Sequence, residues 1–238
     1  MNIDNIILEF NEKNKDTQFY SNKTMEDKFA YFIYGDEPNL NFLEAGASDG
    51  ITNSMTYFLE KNLNWRGICI EPSNCFEECK KNRNHVQKIL LGSTEEEKLF
   101  LIFNDFNNEL SCKIENLIKL YKHDTWQRKF IIKGDLIKPL LINQTTISSI
   151  LNTNQIEKLN FLGLDLESGE LDALTGIDFT KHSIDLITCE NYEVVSFLKS
   201  KNYVELYNPF VIDNCHWNSW FASYEFIKNK SWLKCLSK

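Results

Sequence analysis

Residues 42–50 read FLEAGASDG, and the chain runs on through ITNSMTYFLEKNLNWRGICIEP to Pro72. Residues 41–45 are a short apolar run ending at Gly46. Residues 54–62 have helical spacing, and residues 66–70 form a second apolar run closed by Glu71 and Pro72. Strand, glycine-bearing loop, helix and strand, in that order, open a βαβ unit. Gly46 and Gly50 permit positive φ and let a ligand approach the backbone closely. Glu71 follows Gly50 by about 20 residues, the spacing at which Rossmann-like folds set an acid against ribose hydroxyls. A carboxylate suits that task because it accepts from two vicinal hydroxyls at once. The loop is not G-x-G-x-x-G, so the pyrophosphate cradle of a nicotinamide enzyme is missing. Glu44, just before the loop, would repel a pyrophosphate and suits a cationic ligand.

Outward from this stretch the same rhythm recurs. Residues 1–35 read mostly as helix, with Ile3, Ile6, Ile7 and Phe10, and then Phe29, Phe32 and Ile33, at helical spacing before Asp36, Glu37 and Pro38 break the pattern. Helices are expected at 76–83, 146–151 and 194–201, with another beginning at Glu170. Strands are expected at 86–91, 99–103, 160–166 and 184–190, and closing strands at 203–207 and 211–213. Alternating strands and helices imply an α/β fold, a mostly parallel sheet with helices on both faces and an antiparallel strand near the C-terminus. The length fits one domain over residues 1–238, with a helical N-terminal segment (1–38) and an irregular insertion (104–143). Within the insertion, residues 110–121 are expected to be helical, and residues 130–142 to hold strand pieces interrupted by Gly134 and Pro139.

The formal net charge is −8, and the chain has no basic run. Such a surface repels a phosphate backbone, so no nucleic-acid partner is expected. No apolar run approaches the length of a membrane span. The N-terminus has neither a basic start nor a small-residue cleavage site, which points to a cytoplasmic protein. The seven cysteines are odd in number and form no C-x-x-C pair, as expected for reduced thiols. Cys75 and Cys79 lack further zinc ligands nearby and read as packing residues.

The stretch at 42–73 resembles the opening of the FkbM-type methyltransferases. Gly46, Ala47, Asp49, Gly50, Ser54, Thr56, Leu59, Glu60, Lys61, Trp65, Gly67, Glu71 and Pro72 match that family's motif. A second block, LNFLGLDLESGELDALTGIDF at 159–179, resembles the family at Asp165, Glu167, Glu170, Leu171, Leu174 and Gly176. Residues 145–151 and 187–192 match further segments. Ser168 departs from the pattern, standing where the family has a glycine, with Gly169 one place later. The resemblance implies a Rossmann-like fold that uses S-adenosylmethionine (SAM). SAM carries a cationic sulfonium and amine and no phosphate, in keeping with Glu44 and the altered loop. The expected cofactor-binding residues are Glu44, Gly46, Ala47, Asp49, Gly50, Ser54, Glu71, Pro72, Ser73 and Leu91.

In open α/β sheets, ligands bind beyond the carboxyl ends of the strands. Asp165 and Glu167 follow one expected strand, and Glu190 and Asn191 follow the next. Asp165, Glu167 and Glu190 are therefore the candidate catalytic residues, with Glu167 in the role of base. Asp165, Glu190 and Asn191 form a candidate oxygen-rich Mg²⁺ site, like that of metal-dependent O-methyltransferases. The plainer alternatives are direct hydrogen bonds from Asp165 and Glu190 to the ligands, and helix N-terminal acids for Glu167 and Glu170. His85 and His182 read as exposed, and His123 and His216 as candidate site residues. Trp217, Trp220 and Trp232 read as aromatic cover for the last strands, with stacking on a sugar ring as the alternative. Asn208-Pro209-Phe210 resembles part of an amino-methyltransferase motif but lacks its second proline. The resemblance implies O-methylation of a hydroxyl on a sugar or glycan. The alternatives are a non-sugar small-molecule acceptor, or a non-catalytic SAM- or glycan-binding partner of glycosyltransferases.

Overall fold

The computed structural model describes residues 3–103, 111–117, 136–190 and 193–238. Among these residues the strands are, in chain order, β1 (Asn41–Ala45), β2 (Arg66–Ile70), β3 (Val86–Gln87), β4 (Leu90–Leu91), β5 (Glu96–Phe103), β6 (Cys112–Lys113), β7 (Leu136–Thr145), β8 (Lys158–Leu164), β9 (Ser183–Glu190), β10 (Tyr203–Leu206) and β11 (Asn218–Ser223). The α-helices are α1 (Ile3–Lys13), α2 (Glu26–Tyr34), α3 (Tyr57–Leu63), α4 (Phe76–Asn82), α5 (Ile147–Thr153), α6 (Glu170–Thr175), α7 (Glu193–Ser200) and α8 (Tyr224–Asn229).

The main sheet has the order β10-β11-β9-β8-β1-β2-β3. β1 pairs in parallel with β2 on one side and β8 on the other, and β8 pairs in parallel with β9. β11 runs antiparallel between β9 and β10. The chain winds outward from β1 through β2 to β3, then returns to the other side of β1 as β8. That reversal opens a crevice at the carboxyl ends of β1 and β8.

Alternate residues of β1 serve opposite faces. Phe42 joins a core with α1, α2 and α8, whereas Leu43 and Ala45 join a core with α5, α6 and α7. On the first face Phe161 stacks on Trp220 at 5.3 Å, and Phe29 meets Trp220 edge-on at 4.8 Å. Burying an aromatic side chain contributes about 1.5–3 kcal/mol, so this cluster fastens the N-terminal helices to the sheet. Trp220 is thus a core residue, as the reading of the aromatics had it.

The N-terminal segment, read mostly as helix, holds two helices, α1 and α2. Residues 14–25 turn between them, because the buried Asp27 carboxylate accepts from the Tyr20 and Ser21 backbone N–H groups and from the Ser21 hydroxyl. The strand expected at 211–213 is absent, and the closing strand is β11. Much of the described part of the insertion is regular. β7 pairs along its length with β5 and forms a second sheet of order β4-β7-β5-β6. Pro139 is tolerated there because β4 reaches only Gln144 and Thr145, so the strand is paired on one side at the proline. The α-helix expected at 110–121 is not formed over its described part, where Cys112–Lys113 are β6 and Ile114–Asn116 a 3-10 turn; residues 110 and 118–121 lie outside the described residues. All seven cysteines are free thiols, and no described helix is long and apolar enough to cross a membrane.

Beneath the first loop lies a buried ion network. Arg83 follows α4 and is wholly covered. Its Nη1 donates to Glu44 Oε2 at 2.9 Å, and its Nε donates to Glu60 Oε2 at 2.7 Å. It also reaches the Gly50 carbonyl, Ser54 Oγ and Thr56 Oγ1. Burial alone would push the Glu60 carboxyl up, but the Arg83 charge and hydrogen bond outweigh it and hold it below the usual range. Arg83→Met should strand both carboxylates and cost about 3–5 kcal/mol at pH 7, measured by denaturant unfolding. A depressed carboxylate stabilises above its unfolded value, 4.5 for Glu60, and loses that contribution as pH falls below it. The deficit of the variant should therefore shrink in acid below that pH.

Candidate active site

The crevice at the β1–β8 reversal continues into a cavity of about 590 Å³. Its floor is the loop after β1. Gly46 has φ +84°, and a Cβ there would stand 2.1 Å from the Asp165 carbonyl oxygen. Only glycine lets the two strand ends approach this closely. The Gly46 and Ala47 N–H groups both donate to the Ile70 carbonyl, which pins the loop over β2.

Glu71 closes β2 and is 5% exposed. Its Oε2 accepts from the Ser48 N–H and its Oε1 from the Ser73 N–H, both at 2.7 Å. Burial pushes its carboxyl up, and these hydrogen bonds offset part of the rise. The acid ties two loops together at the cavity wall and keeps acceptor capacity on each oxygen.

At the opposite rim stand Asp165 and Glu167, just beyond β8, and Glu190, the last residue of β9. Their carboxylate oxygens lie within 4.8 Å of one another. Asp165 is exposed, and the other two are half-buried. Like charges this close favour a cation or a hydroxyl-rich ligand between them. Glu167 and Ser168 have φ of 49° and 71°. Two successive non-glycine residues in the left-handed region store strain, which concentrates at functional sites.

The cavity wall includes Gly46, Ala47, Ser54, Glu71, Pro72, Leu91, Asp165, Glu167 and Glu190. Four residues expected at the cofactor are elsewhere. Glu44 shares a sheet face with Phe42, so its carboxylate turns under the loop, where Arg83, Ser54, the Met55 N–H and Thr56 consume it. Asp49 braces the loop itself, accepting from the Ile51 and Thr52 N–H groups. Gly50 gives passage to Arg83, whose Cγ would lie 2.7 Å from an added Cβ. Ser73 meets Glu71 and accepts from the Cys75 N–H. Asn191 and His123 lie outside the described residues. His182 is buried, not exposed, with Nδ1 3.1 Å from the Ile156 carbonyl. His85 and His216 are exposed.

Other wall residues, Trp217 apart, carried no sequence signal. Lys113 is buried and donates to the Leu91 carbonyl, Gln144 Oε1 and Asp172 Oδ2, fixing the second sheet against the cavity. Asn22 and Thr24 come from the turn before α2 and Glu26 is its first residue, while Trp217 precedes β11 and Asn218 opens it. They are far apart in sequence, and helical or strand periodicity does not mark them.

A mostly parallel sheet that reverses at β1, with an acid-rimmed cavity at the reversal, has the architecture of a Rossmann-like methyltransferase. The Methyltransferase FkbM domain matches residues 44–227, and the chain belongs to that family. No curated protein matches the chain. Among solved structures, the human methyltransferase 10 domain containing protein is 12% identical, with a TM-score of 0.40, over 84% of this chain and 82% of that one. The precorrin-6y C5,15-methyltransferase from Geobacter metallireducens GS-15 is 11% identical, with a TM-score of 0.37, over 87% of this chain and 93% of that one.

The strain at Ser168 yields a direct test. Ser168→Gly removes a left-handed non-glycine residue, so it should raise unfolding free energy by about 1 kcal/mol. An unchanged or lowered melting temperature would show that the serine side chain offsets the strain.

Proposed function

We propose that the protein transfers the methyl group of SAM to a hydroxyl of a sugar or glycan. The observation that carries this reading is the meeting of three carboxylates from two strand ends across one cavity from Glu71. In this reading Glu71 accepts from the ribose hydroxyls of SAM through the lone pairs left by Ser48 and Ser73. Gly46 and Ala47 lie against the methionine part, and Pro72 and Leu91 flank the adenine. Glu44, neutralised by Arg83, acts on the loop and not on the sulfonium.

Methyl transfer is an in-line displacement. The acceptor oxygen attacks the methyl carbon while the thioether leaves, and aligning the reactants contributes about 7–11 kcal/mol. Asp165 and Glu190 orient the acceptor hydroxyl at the rim. The same three carboxylates fit a hard cation, because their oxygens converge within 4.8 Å and oxygen donors suit Mg²⁺. Mg²⁺ bound there would stabilise the developing alkoxide as a Lewis acid.

Two measurements test the reading. Glu71→Ala should weaken SAM by at least about 2 kcal/mol in calorimetry, since charged hydrogen bonds are lost together; unchanged affinity would remove Glu71 from the cofactor. Asp165→Asn should lower turnover at least about 100-fold while SAM affinity holds. Its melting temperature should hold or rise, because one of three crowded acids is neutralised. Activity lost with EDTA and restored by Mg²⁺ would support the metal. Activity indifferent to EDTA would leave Asp165 and Glu190 as direct hydrogen-bonding groups.

A further inference from the structure

The N-terminal segment contributes an acid to the cavity that the roles above leave unused. Glu26 is the first residue of α2, is 1% exposed, and forms part of the cavity wall. Its Oε2 accepts from Thr24 Oγ1 at 2.6 Å, and its Oε1 accepts from Asn218 Nδ2 at 2.6 Å. Each oxygen keeps acceptor capacity. We infer that Glu26 is the group that receives the proton of the acceptor hydroxyl. The inference rests on the hydroxyl-methylation reading and deepens it.

Three observations converge. The first is the absence of a counter-ion. Glu44 and Glu26 are equally buried, yet Glu44 has Arg83, whereas among the described residues the side chains bonded to Glu26 are neutral donors. Burying a carboxylate without a cation costs stability. A fold that retains one at a cavity wall has a use for it there.

The second is position. Asn218, which holds Glu26, stands opposite Glu190 in the β9–β11 register. Glu26 is therefore one side chain removed from the strand end that carries the acid cluster. Trp217, beside Asn218, is 60% exposed on the same wall. Its ring offers an apolar face to a sugar, which marks this end of the cavity as the acceptor's.

The third is rigidity. Asn208 Nδ2 donates to the Thr24 carbonyl, the Ile212 N–H donates to the Lys23 carbonyl, and Lys23 pairs with Asp213 at 2.7 Å. The turn that presents Glu26 is clamped by the β10–β11 connection, so the carboxylate is held in place before an acceptor arrives.

Burial, with the neighbouring Asp27 charge as a lesser cause, pushes the Glu26 carboxyl up to about 7, against the downward pull of Thr24, its own N–H and Asn218. A base is most effective when its pKa lies near the working pH. Asp27 on α2 and Cys215 before β11 interact electrostatically with Glu26, and Glu71, Lys113, Asp165, Glu167 and Glu190 line the same cavity. In the step itself the acceptor O–H bond breaks and its proton passes to Glu26. The oxygen electron pair forms the new C–O bond to the methyl carbon. The S–CH₃ bond breaks with its pair on sulfur, leaving a methyl ether and S-adenosylhomocysteine. Glu26 then returns its proton to water.

The test uses the full chain with SAM, a panel of methyl glycosides, catechol as a non-sugar hydroxyl, and a primary amine. Glu26→Gln keeps the shape and removes the base. It should lower kcat at least about 100-fold, while S-adenosylhomocysteine affinity in calorimetry stays within about twofold and the melting temperature holds or rises. Thr24→Val deletes a hydrogen bond that lowers the acid, so the acidic inflection of kcat/KM should move to higher pH. That second variant decides the matter if Glu26→Gln fails to fold. A Glu26→Gln enzyme with kcat within about threefold of the wild type, or an inflection unmoved by Thr24→Val, would reduce Glu26 to a helix N-terminal acid and overturn the inference with hydroxyl methylation intact. A wild type that methylates only the amine would overturn both readings, and it would do so before any variant is compared.

Discussion

The first loop, and with it the cavity, depends on the pairing of Arg83 with Glu44 and Glu60. A guanidinium with five donors is shared among two carboxylates, a carbonyl and two hydroxyls, and all of it is out of water. Taking those charges from water is costly, and the arrangement holds only because nearly every donor and acceptor is met. The consequence is local order. The loop from Gly46 to Thr56 is stitched from below, so its upper surface can stay open to a ligand. Gly50 is dictated by the same network, since a Cβ there would collide with the Arg83 side chain.

A second constraint acts on the upper surface. The carboxyl ends of β1 and β8 meet where the sheet reverses, and the Gly46 backbone lies against Asp165 with no room for a side chain. This contact sets the position of the acid cluster relative to Glu71. It also explains the strained turn at Glu167 and Ser168. The chain must leave β8 sharply to keep the Asp165 and Glu167 carboxylates near Glu190 and still enter α6. The turn is tolerated because the surrounding β8, β9 and α6 are deeply packed.

The remaining walls come from outside the central βαβ pattern. The second sheet closes one end through Lys113, and the N-terminal turn with the start of β11 closes the other. Buried acids follow a division of labour along this cavity. Glu44 and Glu60 are paired with a cation and serve the fold. Glu71 is met by backbone N–H groups and serves the loops and the cavity wall. Glu26 is met by neutral side chains, which leaves its proton affinity high.

The sequence by itself determined the family and the central architecture. The glycine loop, the acid about 20 residues on and the second block around Asp165 are local signals, since strand ends and tight turns demand particular residues at short spacing. Glu71, Asp165, Glu167 and Glu190, which the same signals single out, line one cavity, because strand order in a parallel sheet is strongly constrained. Only the tertiary structure decided which way each side chain points. Glu44 was legible as an acid beside the loop, but the period of two along β1 turns it beneath the loop, to a partner 39 residues away. Asp49 and Ser73 were likewise legible by position and are consumed by neighbouring backbone. Glu26, Lys113 and Asn218 carry no local signal, because their roles arise from contacts between segments as much as 192 residues apart. Long-range packing brings such groups together, and no spacing rule along the chain encodes it.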